Sequence, residues 1–273
     1  MKKIGDFQAP YGLNTIALDS PVRGVTDSSY IAKLVDTQEE FEAVLRLRYE
    51  VFHKELGDLE KARPFSAQTD LDEFDLACEH LIVTERATGR AVGTYRLNTL
   101  ETARRSKGFY ASQEFLIDEI PDDVLEGAVE LGRACIAKEH RNTRVLFLLW
   151  KVLANYMVAR GKRYLFGCCS VFTQDPEIAA KVLQQIEMSG HLHDSIKVRP
   201  KDEKRIVPEG FDPSSMGPVE LPPLVKIYLR VGCKVCGEPA IDREMKTIDY
   251  FVVFDLRTID PKYDKMFFGE SSS

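Results

Sequence analysis

The chain has 273 residues, of which 44% are hydrophobic and 29% charged, and a net charge of -6. That is a globular composition, with length for one large domain or two modest ones, and its acidic balance argues against a general nucleic-acid binder. The longest apolar runs, such as 145–150, fall far short of the ~18 residues of a membrane span. The start, MKKIGDFQAPYG, has no apolar stretch behind its lysines, so no signal peptide is expected and the cytoplasm is the expected location.

Residues 1–29 carry Gly, Pro and Ser with little period and read as an N-terminal arm. Residues 30–36 alternate like a first strand. Thr37-Gln-Glu-Glu40 is a capping box, and Phe41, Val44, Leu45, Leu47, Val51 and Phe52 continue it as an amphipathic helix. A polar loop over 57–70 leads into the dense acidic turn Asp70-Leu-Asp-Glu-Phe-Asp75. Residues 80–85 and 91–97 are strand-like, and Gly89 between them suits a hairpin. The stretch 101–127 is mixed, with a short helix expected near 113–116. Residues 128–137 are short, apolar-rich and β-compatible, and 138–143 form a polar turn in which Asn142 and Thr143 can cap a helix over 144–160.

A strand follows at 163–171, and Asp175-Pro176 opens a helix to about Met188. Residues 191–217 are polar and proline-bearing and look like an inserted loop. Pro222-Pro223 starts a helix over 224–231 that Gly232 halts, strands follow at 240–242 and 247–256, and 257–273 reads as a tail. This order predicts one α/β (α+β) domain over 30–256, a mixed central sheet with helices on both faces.

Six cysteines stand at 78, 135, 168, 169, 233 and 236. Cys233 and Cys236 form a lone CxxC without a second pair, which argues for ordinary reduced thiols rather than zinc. Glu130 and Arg133, three apart on a strand, face opposite sides unless Gly132 allows a bulge. They are either an exposed ion pair or, on a central strand among apolar neighbours, an acid that must be used or paired. A carboxylate in such surroundings has its pKa raised, which suits a base taking a proton from an ammonium.

The turn 139–144 joins basic side chains to a helix N-terminus, where an anion can bind. Arg48 and Phe52 share a helical face; Phe52 as core with a solvated Arg48 is the plainer alternative. The acids at 70, 72, 73 and 75 are a solvated loop, a calcium-like cluster without the EF-hand pattern, or a holder for Arg48, Arg96 or an amine. His191 and His193 offer no third metal ligand.

Several ordered segments together carry a resemblance. They are Leu47-Arg-Tyr-Glu-Val-Phe52, Asp72-Glu-Phe-Asp75 with Cys78-Glu-His-Leu81, Gly93-Thr-Tyr-Arg-Leu97 and Glu130-Leu-Gly-Arg-Ala-Cys135. Leu148-Leu-Trp150, Tyr164-Leu-Phe-Gly-Cys-Cys-Ser170, Leu221-Pro-Pro-Leu-Val-Lys-Ile-Tyr-Leu-Arg230, Asp242 and Thr247-Ile-Asp249 complete the set. Over about 30–256 the chain resembles the GNAT-fold N-acyltransferases of the lyso-ornithine-lipid synthase and hemolysin-like group, which are related to acyl-homoserine-lactone synthases and long-chain N-acyl amino acid synthases.

The resemblance implies transfer of a 3-hydroxylated fatty acyl group from acyl carrier protein to the α-amine of ornithine or a similar amino acid. No cofactor is implied beyond the 4'-phosphopantetheine of the acyl carrier protein, or acyl-CoA, as substrate. Glu130 and Arg133 fall at catalytic positions, and Arg48, Phe52, Asp72, Asp75 and Arg96 at an acceptor-side charged wall. Cys135 and Ile136 would offer amides to the thioester carbonyl, and Arg141, Asn142, Thr143, Arg144 and Val145 would seat the phosphopantetheine phosphate. Arg104, Arg105, Lys107, Arg141, Arg144 and Lys151 are the basic candidates for docking an acidic carrier. A lipidic product implies peripheral contact with the inner membrane face. The region 191–217 does not align with the family pattern, so acceptor choice is assigned to it. A lactone synthase using S-adenosylmethionine and a non-catalytic acyl-binding or lytic protein are the alternatives.

Overall fold

Thr37 starts the first helix as its capping box predicts: Thr37 Oγ1 accepts the Glu40 N–H at 3.2 Å, and Glu40 Oε2 accepts the Asp36 N–H at 3.1 Å. The computed structural model describes residues 22–56 and 68–268. Helix α1, Gln38–Tyr49, runs directly into a wider π-helical turn, Glu50–Glu55. Most of the loop expected over 57–70 lies outside the described residues, as does most of the expected arm.

Two compact units divide the chain: one takes it up to Lys107 with Leu131–Lys162 and from Lys265 on, the other Gly108–Glu130 and Arg163–Asp264. In the first, β1 (Val25–Thr26), β2 (Tyr30–Leu34), β3 (Glu79–Glu85) and β4 (Ala91–Thr99) pair antiparallel in sequence order. Part of the expected arm is thus a strand, because Val25 and Thr26 pair with Ala32 and Ile31. Helix α1 packs on β3 and β4. After β4 the chain turns into a short helix α2, Leu100–Arg104, capped by Thr99 and not foreseen in the mixed composition of that stretch.

The second unit begins with 3₁₀ turns at Tyr110–Gln113 and Ile117–Glu119 and a short helix α3, Asp122–Glu126. These replace the single helix expected near 113–116. Strand β5, Ala128–Ile136, pairs parallel with β6, Tyr164–Val171, over three residue pairs that end at Glu130↔Phe166. Beyond β5 comes α4, Thr143–Ala159, which packs on β1 to β4. A Cβ on Gly93 of β4 would lie 2.9 Å from Val145 Cγ1, so only glycine lets α4 sit this close.

Strand β6 pairs antiparallel with β9 (Thr247–Asp255) over eight residues, and β7 (Lys234–Val235) and β8 (Ala240–Asp242) both pair with β9. Helices α5 (Pro176–Met188) and α6 (Pro223–Val231) bury Val182, Ile186, Val225 and Leu229 against Val171, Ile248 and Tyr250 of β6 and β9. Gly232 ends α6 in the left-handed region at φ 112°. The expected tail holds one more helix, α7 (Pro261–Phe268), whose Phe267 ring lies 5.0 Å from Trp150. With β5 and β6 parallel and the other named pairs antiparallel, the nine strands among the described residues make a mixed sheet of the α/β class.

Candidate active site

Arg48, in the last turn of α1, is fully buried and paired on two sides. Its Nη1 and Nη2 donate to the two carboxylate oxygens of Asp75 at 2.6 and 3.0 Å, and Nε donates to Asp70 Oδ2 at 2.7 Å. Arg96 of β4 donates through Nη1 to both oxygens of Asp72 at 2.6 Å and to Asp75 Oδ1 at 2.9 Å. Arg133 of β5 reaches Asp72 Oδ2 through Nη2 at 3.0 Å. Of the three readings of the acidic run, the structure selects the one in which it holds arginines.

Three guanidiniums and three carboxylates therefore neutralise one another out of water, where an unmatched charge would be costly. Burial pushes the Asp75 carboxyl up, but Arg48, with Arg96 beside it, outweighs burial and brings it down to about 2. Asp70 and Asp72 are lowered in the same way against the effect of burial, by Arg48 and by Arg96 respectively. His53 Nε2 lies 3.0 Å from Asp70 Oδ1, and His80 Nε2 donates to the Asp75 carbonyl at 3.0 Å. Burial lowers the His80 pKa to about 4. Neither histidine was singled out from sequence, although His80 stands in a segment that carries the resemblance.

The side chains of Arg48 and Asp75 are 0% exposed, whereas Arg133 keeps 13% and Asp72 21%. Asp72 and Arg133 thus face outward, and Arg48, Asp75 and Arg96 stand behind them. Phe52 is half-buried on the π turn, where the wider winding takes it out of the simple i, i+4 relation to Arg48. Arg133 adopts φ +49°, a left-handed backbone beside Gly132 within β5. A non-glycine in that region costs about 1–3 kcal/mol, and the ion pair to Asp72 helps offset it.

In the second unit Glu130 is 4% exposed. Its Oε1 accepts the Ala111 N–H at 2.8 Å and its Oε2 the Tyr110 N–H at 3.0 Å. It thereby satisfies the first amides of the 3₁₀ turn Tyr110–Gln113 from across the unit. The same Tyr110 sends its hydroxyl to Asp242 Oδ2 at 3.4 Å. Asp242 Oδ1 accepts the N–H groups of Glu244 and Met245, closing the β8–β9 turn.

Close by, one ligand-type atom each of Glu114, Cys168 and Asp249 lie within 4.8 Å of one another. Glu114, Asp242 and Asp249 are 2%, 4% and 3% exposed. Burial, then Asp249 and Asp242, push the Glu114 carboxyl up to about 9. Burial likewise raises Asp249, with Asp242 adding to it, while hydrogen bonds with Ser170, Thr247 and Glu114 oppose the shift. Burial raises the Cys168 thiol well above its usual range, and Glu114, Asp249, Glu130 and Asp242 all add to it. The strand-core reading of the cysteine pair holds for Cys169, which is buried in the apolar core; Cys168 points to the acids. Sequence reasoning left Glu114 out entirely; Asp242 and Asp249 were legible only as members of the resembling segments.

The turn before α4 is less open than its sequence suggests. A helix N-terminus needs partners for its first amides, and Asn142 Oδ1 already accepts those of Arg144 and Val145 at 3.1 Å each. The expectation of free amides there is corrected accordingly: Asn142 must swing aside before an anion can use them. Thr143 is exposed; Arg141 pairs with Glu55 at 2.6 Å and Arg144 with Asp27 at 2.6 Å. Arg104 and Arg105 are exposed, and Lys107 pairs with Glu73 at 3.2 Å. Cys135 is buried, and burial lifts its thiol to about 12; Ile136 is half-buried.

The inserted stretch is tied to the segment that carries Glu114. Lys201 N–H donates to the Glu114 carbonyl at 2.8 Å and Leu116 N–H to the Arg199 carbonyl at 2.9 Å. Beside it lies a cavity of about 250 Å³ lined by Leu116, Lys197, Arg199, Arg205 and Glu238 among others. His193 Nδ1 accepts the Ser195 and Ile196 amides, a turn-capping role. Cys233 and Cys236 are buried free thiols flanking β7.

Residues 47–151 match the family model of the acetyltransferase (GNAT) domain. The L-ornithine N(alpha)-acyltransferase of Rhizobium meliloti is 30% identical over 241 residues, covering 85% of this chain and 81% of that protein. That of Agrobacterium fabrum is 30% identical over 258 residues, covering 88% and 85%. Among solved structures, the CoA-dependent acyl-homoserine lactone synthase BjaI with SAM and isopentyl-CoA is 16% identical with a TM-score of 0.47, covering 86% of this chain and 85% of that one.

Proposed function

Since the chain belongs to the L-ornithine N(alpha)-acyltransferase family and is a GNAT-fold acyltransferase, we propose that it moves a 3-hydroxylated fatty acyl group from the phosphopantetheine thioester of an acyl carrier protein to the α-amine of ornithine. The product is a lyso-aminolipid, made by a cytoplasmic enzyme with peripheral contact to the inner membrane face. The observation that carries this reading is a likeness extending over 85% of the chain to an enzyme named for acylating the α-nitrogen of ornithine. The domain expected over 30–256 is the unit of that activity.

A thioester is already activated, so the protein need not provide a nucleophile. It has to remove a proton from the α-ammonium, steady the oxyanion and hold both reactants close. Glu130 is the base, taking the proton directly or through a water. The freed amine attacks the carbonyl carbon, the amides at Cys135–Ile136 hold the oxyanion, and collapse breaks the C–S bond and releases the carrier thiol. The turn Arg141–Val145 takes the phosphate of the pantetheine arm once Asn142 gives up its amides. Asp72 and Arg133, the outward members of the charged cluster, offer a carboxylate to an ammonium and a guanidinium to a carboxylate.

Purified protein mixed with 3-hydroxyacyl thioesters of acyl carrier protein and of CoA, together with a panel of amino acids, tests the reading by thiol release and mass spectrometry. Nα-acylornithine formed fastest from the carrier thioester is the expected result. Formation of a lactone, or thiol release with no N-acyl product, would overturn it.

A further inference from the structure

We infer that His53, held by Asp70, is a further catalytic residue: its Nδ1 takes the second proton that the attacking nitrogen has to lose and hands it to the departing sulfur. The inference rests on the acyltransferase reading above and supplies a step that reading leaves open. An α-ammonium begins with three protons on nitrogen, and the amide product keeps one. Glu130 is assigned one of the two that leave, so the reaction needs another acceptor.

The π turn Glu50–Glu55 places the imidazole. Windings with i→i+5 bonds, such as Leu56 N–H to the Val51 carbonyl at 3.2 Å, are rare and gather at functional sites. The wider turn brings residue 53 back over Arg48 and Tyr49. His53 stacks on the Tyr49 ring, with centroids 5.2 Å and planes 25° apart. It also shares one carboxylate with Arg48: Asp70 Oδ1 lies 3.0 Å from His53 Nε2, and Oδ2 accepts the Arg48 Nε–H at 2.7 Å. Burial pushes the Asp70 carboxyl up, but Arg48 and Arg133 outweigh burial and keep it ionised. An ionised carboxylate only accepts, so Nε2 carries the ring proton and Nδ1 is left as the basic nitrogen. Among the described residues Nδ1 has no hydrogen-bond partner, and the side chain is 36% exposed. A base oriented through its far nitrogen by an acid is the arrangement that proton transfer by imidazole uses.

The neighbours are those of the proposed reaction. Asp70 Oδ2 also lies 3.6 Å from Arg133 Nε, and Arg133 with Asp72 forms the outward face offered to the acceptor. Two residues beyond His53, Glu55 Oε2 accepts Arg141 Nη2 at 2.6 Å, at the turn proposed for the pantetheine phosphate. The turn that carries His53 is thus tied to the acceptor wall and to the donor seat, all within the first unit. Once the amine has attacked, its nitrogen is cationic and Nδ1 removes a proton from it. The adduct collapses with the C–S electron pair going to sulfur, and the imidazolium protonates the thiolate. Glu130 passes the first proton to water, so amide, thiol and one released proton balance the reaction.

The test uses the purified full chain and its variants His53→Ala and His53→Gln, with the carrier thioester and ornithine, with and without added imidazole. In both variants kcat for thiol release should fall by about 10²–10⁴-fold with KM for ornithine little changed. Imidazole should restore part of the rate to His53→Ala and leave wild type as it was. His53→Gln keeps an N–H for Asp70 and so holds the turn; full turnover in it would show that the carboxylate contact and not the basic nitrogen matters, and would overturn the inference. A loss confined to KM, or one in folded His53→Ala that imidazole does not relieve, would overturn it too. If ornithine is not the acceptor, the ornithine reading falls while thiol release with whichever amino acid wild type does use still decides His53. Wild type that releases no thiol with any amine overturns both.

Discussion

Arg48 and Asp75 meet fork to fork, two guanidinium nitrogens on two carboxylate oxygens, at a point where neither side chain has any exposure. Such a pair is expensive to break from one side because the remaining charge has no water to turn to. Arg48→Met takes the fork from Asp75 and the Nε–H from Asp70, leaving them Arg96 and His53 respectively, and the expected loss is about 3–5 kcal/mol of folding free energy, read from urea denaturation midpoints. Arg48→Lys keeps the charge but cannot serve two carboxylates as a planar fork, and should fall between. Wild-type stability in Arg48→Met would mean that the cluster contributes nothing to the fold.

His80 gives the stability a particular acid dependence. Burial lowers its pKa from 6.5 to about 4, so between those values the unfolded chain binds a proton that the folded chain refuses. The His80 contribution to stability should therefore fall as pH drops from about 6.5 to 4, while Glu114, raised to about 9, contributes the opposite slope above about 4.5, so the effect of His80 is read as a difference between proteins. Asp75, depressed from 3.8 to about 2, adds a second loss only below pH 4, as the unfolded state takes up its proton first. In melting curves at half-unit pH steps, wild type should lose stability relative to His80→Gln as pH drops from about 6.5 to 4. The same slope in both proteins would remove His80 as its source.

Glu130→Gln should cut turnover by about 10²–10⁴-fold, the usual value of a general base. The amide keeps one oxygen for the Tyr110 and Ala111 N–H groups but turns an NH₂ toward the other, so a small loss of melting temperature is expected. A purely structural Glu130 would show that loss without a change in the pH profile. A catalytic one also removes the acidic limb of kcat/KM, and full turnover in the variant would take Glu130 out of the mechanism.

How far the residues announce themselves depends on whether their signal is local. The Thr37 box, the Asn142 cap and Pro176 act within one turn, and α1, α4 and α5 begin where those residues predict. Glu114 carries no such mark: its environment is made by Asp242 and Asp249, more than a hundred residues away, and only the folded chain brings them together. The phosphate seat proposed at 141–145 shares its amides with a cap that is itself local. Cap and anion compete for the same amides, and in the folded chain Asn142, which the sequence offered as a cap, holds them.

Arg141 and Arg144 lie at the start of α4, and each is spent on a surface ion pair, to Glu55 and to Asp27. Exposed pairs of this kind contribute roughly 0–1 kcal/mol, so breaking them leaves the fold nearly intact. Their charge remains available to an acidic carrier protein over a Debye length of about 8–10 Å. Replacing both by Glu should raise KM for the carrier thioester and flatten its dependence on salt, because the attraction that salt screens has been removed. Acyl-CoA, which shares the pantetheine phosphate but has no carrier surface, should lose only the phosphate part of the effect and so be affected less. Equal losses with both donors would move the effect from carrier docking to the phosphate site at Arg141–Val145, and no loss with either would take both arginines out of donor binding.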